Sequence, residues 1–195
     1  MDASDARDHV RMLDGIVRAT DRTVHISPAV LIAIGAVCAT ITGLIQARQM
    51  GWNIPPDYYI QPPAFLVMLV TIVVASWRHR VPGRDTLVDG YAGVAFFAAA
   101  ALGLTLNVTA QGRVIPPAGI GLVWAGSFSM ALLIIGAMGR GVLLVGAVAM
   151  LVAVGTAALV PSWLPGILAI AWLVGFTIPG VALALGASRG RTAAL

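Results

Sequence analysis

Six apolar stretches, at residues 28–47, 62–77, 90–111, 114–138, 142–160 and 164–187, contain no Asp, Glu, Lys, Arg or His. Crossing about 30 Å of hydrocarbon at 1.5 Å per residue takes roughly 20 residues, so each stretch is close to one membrane span, the second being the shortest. A lone segment inside lipid satisfies its own backbone groups only as a helix. The alternation of a β-barrel strand is absent, as the run at 65–75 shows. The chain is therefore expected to be all-α: a polytopic membrane protein with six transmembrane helices in residues 27–195, preceded by a cytoplasmic amphipathic helix in residues 1–26. Charged residues make up only 10% of the 195, against roughly 25% in soluble domains.

Orientation follows from arginine placement, since the chain has no lysine and no glutamate. Arg7, Arg11, Arg18 and Arg22 precede the first span, and Arg78, Arg80 and Arg84 follow the second. Arg140 separates the fourth from the fifth, and Arg189 and Arg191 follow the sixth. If six helices alternate, these all fall on one side and only Arg48 and Arg113 on the other, which puts both termini in the cytoplasm. A cleavable signal peptide is not expected, because the first apolar stretch begins only at Pro28 and is long enough to span. The net charge of +4 reads as a topology signal, with attraction to anionic inner-leaflet lipids as its second consequence. Arg11, Arg18, Arg22, Arg78, Arg80 and Arg84 are the expected lipid contacts. Nucleic acid is not an expected partner.

Ahead of the first span, Ala6, Val10, Leu13, Val17, Thr20 and Val24 recur at spacings of three and four, with Arg7, Arg11, Asp14, Arg18 and Asp21 on other faces. Such a helix either lies on the inner leaflet or docks on a cytoplasmic partner. Ser27-Pro28 reads as an N-cap followed by proline at the first helical position. The longest connection, 48–61, leads into the second span through "NIPPDYYIQPP", whose two Pro-Pro pairs predict stiff, extended backbone and whose tyrosines suit the headgroup zone. Trp52 and Trp163 belong to the same outer belt.

The fourth span reads "PAGIGLVWAGSFS" and the sixth "PGILAIAWLVGFT". Pro117/Pro165, Trp124/Trp172, Phe128/Phe176 and Ser129/Thr177 match at a constant offset of 48. Either repeated helical hairpins or the shared demands of inward-crossing helices produce such a match. Small residues four apart, as in Gly35-Ala39-Gly43, Gly121-Ala125-Ser129, Ala149-Ala153-Ala157 and Gly180-Ala184-Ser188, let helix backbones approach closely, within the bundle or against another subunit.

Chemistry is sparse. Charged residues that work inside a membrane normally line the bundle interior, and no span contains Asp, Glu, Lys, Arg or His. His9, His25 and His79 are scattered, and lone Cys38 excludes an internal disulfide. No catalytic residue, metal or cofactor is expected. Pro179 in "GFTIPG" removes a backbone donor and frees the carbonyl of Gly175, which predicts a kink or unwound turn. Gln46, Asn107 and Gln111 near the outer surface, with Trp172 and Thr177 near that proline, form the candidate polar pocket or kink. A repeat-built transporter usually breaks the corresponding helix too, and the position 48 residues before Pro179 is Ala131, which favours a structural kink over a binding site.

The run "WAGSFSMALLIIGAMGRGVLLVGAVAMLVAVGTAALVPSW", followed by "GFTIPGVALA", resembles the second half of a family of small bacterial six-helix membrane proteins, some encoded beside a winged-helix regulator. Members open with a short charged helix similar to "DHVRMLDGIVRATDR", and carry more basic residues around helices four and five than Arg140 alone supplies. The resemblance implies a bacterial inner-membrane location and brings no activity with it. The expected function is that of a non-enzymatic subunit, scaffold or sensor working through helix contacts with a protein partner or further copies of itself. The alternative is a small-molecule or lipid carrier.

Overall fold

Proline at the first position of a helix loses no hydrogen bond, and Pro28 opens α1 (Pro28–Gln49) in this way. The Ser27 side chain makes no capping bond and its hydroxyl is buried without a partner; its carbonyl takes the first amides instead, from Val30 and Leu31. The computed structural model describes residues 12, 26–79, 93–102, 105, 117–138 and 141–192. Apart from Met12 and Ile26, the expected amphipathic helix at 1–26 lies outside the described residues. All described regular structure is helical, with no strand.

After α1, Gly51 takes a positive φ of 90° and turns the chain, its amide bonding the Arg48 carbonyl at 2.9 Å. Helix α2 (Asp57–His79) begins earlier than the sequence suggests and takes in Pro62 and Pro63. The expected stiff loop is thus confined to residues 50–56. Both prolines lie near its start and are exposed, where their rings meet no neighbouring helix. Next come α3 (Gly93–Leu102), α4 (Pro117–Ala137) and α5 (Gly141–Leu159), then a single 3₁₀ turn (Pro161–Trp163). The last helix has three parts: α6 (Leu164–Trp172), a π-helical turn (Leu173–Thr177) and α7 (Ile178–Thr192).

Among the described residues, four helical segments are long and apolar enough to cross a membrane: Pro28–Gln49, Gly119–Ala137, Gly141–Leu159 and Pro161–Gly186. The apolar parts described for the second and third expected spans are shorter, Tyr59–Ala75 and Gly93–Leu102. The last helix lies between α1 and α5 and touches both along its α, π and α parts; α4 packs on α5 and reaches α6, and α2 packs on α1. Its spanning window has the largest buried share of the four, 39% against 28–33%.

The spanning stretches are apolar on every side, so polarity does not decide which face turns inward. In α5, Leu143, Gly146, Ala147, Met150 and Ala157 face the core, while Val145, Val148, Val152 and Leu159 stay exposed. Glycine admits the closest approaches. A Cβ on Gly35 would meet the Thr177 amide nitrogen at 2.7 Å and the Phe176 Cβ at 2.8 Å; one on Gly146 would meet the Pro179 ring at 2.7 Å and the Gly175 carbonyl at 3.0 Å. The ridge begun by Gly35 is therefore an internal contact. So is Gly121, which seats Leu168.

Gly35→Ala and Gly146→Ala are each expected to cost about 1–3 kcal/mol, because backbone or ring atoms must shift to admit the methyl. Gly155→Ala, where nothing lies within 4 Å, is expected to leave stability unchanged. Thermal unfolding of the purified chain in mild detergent checks all three.

Candidate functional site

Near the middle of the last helix, Trp172 and Phe176 lie one turn apart with ring centroids 5.5 Å from each other. On α4, Trp124 and Phe128 make the same pair, stacked at 5.8 Å. The pairs meet through Phe128, which contacts Trp172 edge-on at 5.7 Å and Phe176 at 5.9 Å. Phe96 of α3 closes the group, 6.1 Å from Phe128 and 6.3 Å from Phe176. These spacings lie in the range where rings attract, about 0.5–1.5 kcal/mol per pair beyond area burial. The four aromatics that match at an offset of 48 thus form one cluster. Phe96 joins it without any sequence signal, because nothing in the apolar run distinguishes it from its neighbour Phe97, which is exposed.

Below the cluster the helix widens. The amide of Ile178 bonds the carbonyl of Leu173, five residues back, in place of the four-residue bond of an α-helix. The next residue is Pro179, which has no amide hydrogen and whose ring would press on the Gly175 carbonyl in a regular helix. The wider turn relieves that pressure, and Gly146 leaves room for the ring on the neighbouring helix. Gly175 in turn gives up its side-chain space to the Met150 sulfur, which stands 2.5 Å from where a Cβ would be. Sequence reasoning marked Pro179 and the Gly175 carbonyl but missed Gly146 and Met150, whose importance arises only from the approach of α5.

Thr177 shows the consequence. Elsewhere helix hydroxyls bond the carbonyl four residues back: Thr40 to Ala36 at 2.8 Å, Thr71 to Val67 at 2.8 Å, Thr156 to Val152 at 2.9 Å and buried Ser129 to Ala125 at 2.6 Å. The Thr177 hydroxyl is buried, lies against Gly35 and has no hydrogen-bond partner. Its packing leaves no space for a ligand on that side.

Gln46 is elsewhere. Its amide oxygen accepts from the Gly166 N–H at 3.1 Å, and its amide nitrogen donates to the Ser162 carbonyl at 3.4 Å. Gln46 therefore caps the start of α6 from α1, in place of the local side-chain cap that Trp163 does not supply. Eleven residues separate Gly166 from Thr177, about 16 Å along a helix, so Gln46 and Thr177 do not share a pocket. Asn107 and Gln111 lie outside the described residues, as do Arg11, Arg18, Arg22, Arg80 and Arg84. Arg78 lies in the last turn of α2. Cys38 is half-buried against the core of α1, and among the described residues no group of three or more His, Cys, Asp or Glu is placed to hold a metal.

No protein-family model, no curated protein and no solved structure matches the chain. What can be said of its function rests on its own residues and their geometry.

Gln46→Ala orphans the Gly166 amide and the Ser162 carbonyl, and is expected to cost about 1–3 kcal/mol. Faster hydrogen exchange at residues 162–167, with exchange around Phe128 unchanged, is the measurement that checks it.

Proposed function

We propose that the chain is a six-span protein of the bacterial inner membrane with both termini in the cytoplasm. In this reading it acts without catalysis, as a subunit, scaffold or sensor that works through its helix faces and its N-terminal helix. The observation that carries the reading is how the bundle uses its polar groups. Gln46 and Ser129, the buried polar side chains of the described core, both bond backbone within the bundle, and rings and aliphatic side chains fill the space around them. Outward, α2 presents Leu66, Val67, Leu69, Val70, Val73 and Val74, and touches the bundle through α1. Such a surface suits lipid or a partner helix.

Two further features support the proposed topology. The Gln46 clamp puts the end of α1 and the turn before α6 at one end of the bundle, where Trp52, Tyr59 and Trp163 are exposed, as interfacial aromatics are. Arg48, at that end, donates to the Pro55 carbonyl. Arg78, Arg189 and Arg191 lie in the closing turns of α2 and α7, at the other end. Anionic lipids of the cytoplasmic leaflet are the partners proposed for Arg78, Arg80, Arg84 and the arginines of the N-terminal helix. Repeated hairpins are the proposed origin of the aromatic cluster, since the residues matched at an offset of 48 are also those in contact.

Purification of the tagged full chain at native expression in mild detergent is expected to give a defined assembly larger than the monomer. Recovery of the monomer alone would overturn the contact reading. The π turn favours one other reading, a small-molecule or lipid carrier, because irregular backbone in mid-helix is where such proteins bind their cargo. Uptake or lipid exchange in proteoliposomes that is lost on Trp172→Ala or Asn107→Ala would establish it instead.

A further inference from the structure

The chain contains its own comparison for the π turn. On α4 the series Trp124, Phe128, Ser129, Ala131 runs through a regular α-helix, and the Ser129 hydroxyl bonds the Ala125 carbonyl. On the last helix the matched series is Trp172, Phe176, Thr177, Pro179. There the backbone is π-helical and the matched hydroxyl is unpartnered. Glycine positions differ between the two series as well, but the change that removes a backbone donor is alanine to proline. Pro179 favours the wide turn, since a regular helix drives its ring toward the Gly175 carbonyl. Thr177 favours the regular helix, since only there does the Leu173 carbonyl lie within reach of its hydroxyl, as in the other helix hydroxyls of this chain.

We propose that Leu173–Thr177 is a two-register joint, set by these opposed preferences, in which the last helix exchanges between the π form described here and an all-α form. In the all-α form the Thr177 hydroxyl bonds the Leu173 carbonyl. Removing one residue's worth of winding error turns the segment beyond the joint by about 100° about its axis. The segment that turns is α7, which carries Arg189 and Arg191 at its far end. Its sequence suits two seatings: Gly180, Ala182, Ala184 and Gly186 distribute small residues around its circumference, so more than one face can lie close to α1. In the π form the seated face is Gly180, whose Cβ position is 3.0 Å from the Pro28 carbonyl and 2.8 Å from the Ile32 side chain. Glycines at Gly35 and Gly146 keep bulk away from the joint on both flanks. The joint stands whether the chain works by partner contact or by carrying a cargo.

The test uses the full chain in lipid nanodiscs, with Cys38 replaced by alanine and spin labels at Val152 on α5 and Val181 on α7, both exposed. Electron–electron distance measurement is expected to give two populations separated by several ångströms. Pro179→Ala is expected to leave only the one that is absent from Thr177→Val, and Thr177→Val only the other. A single distance shared by the parent and both variants would overturn the joint. So would two populations that neither substitution redistributes. Thermal unfolding of each labelled variant shows that the folded chain is being read, and Thr177→Ser, which keeps the hydroxyl, is expected to retain both populations.

Discussion

Everything in this bundle depends on how closely helix backbones can approach the last helix. Water supplies no driving force between helices inside a bilayer, so association rests on packing and on hydrogen bonds. The last helix is in contact with α1 on one side and α5 on the other. Gly35 makes the first contact possible and Gly146 the second, each at a point where a single methyl would overlap backbone or ring atoms. The aromatic cluster then ties α3 and α4 to the same helix through Phe96, Trp124 and Phe128. The Gln46 clamp fixes the register at one end.

Within that frame the polar groups serve structure. Ser129 and Gln46 satisfy backbone or are satisfied by it, and Thr177 alone among the described buried helix hydroxyls is left over. An unmet hydroxyl in a low-dielectric interior costs about 1–3 kcal/mol, and a proline inside a regular helix costs about 3 kcal/mol. The hydroxyl and the proline ring pull the same five residues in opposite directions. That balance makes this segment the most informative part of the chain for function.

Much of the helical layout was legible in the sequence. Absence of charge placed α1, α4, α5 and the last helix to within a few residues, because burying a charged side chain in lipid is expensive; the boundary between α5 and the last helix carries no charge and is marked instead by Pro161 and Pro165. The prolines misled in one place: they suggested stiff, extended backbone up to residue 61, yet α2 begins at Asp57 and takes in Pro62 and Pro63 near its start. Pro179 pointed to an irregular turn, and one lies just ahead of it. Which face of each helix turns inward was not legible, since α5 is apolar all round and differs from face to face only in side-chain size. Gly146 looks like any other glycine until α5 approaches Pro179. Gln46 looked like a pocket residue because its role as a cap depends on Gly166, 120 positions away.

The packing of α1 on the last helix is the claim on which the rest stands, and Gly43 and Ala169 test it directly. The Cβ position of Gly43 lies 3.9 Å from the Ala169 Cβ, within the range of about 3.5–4.5 Å found in disulfides. With Cys38 replaced by alanine, Gly43→Cys and Ala169→Cys together should form an intramolecular disulfide on mild oxidation in native membranes. Gly43→Cys paired with Val145→Cys, on the exposed face of α5, should not. Failure of the first pair to cross-link while both thiols remain reactive, or equal cross-linking of both pairs, would refute the arrangement described.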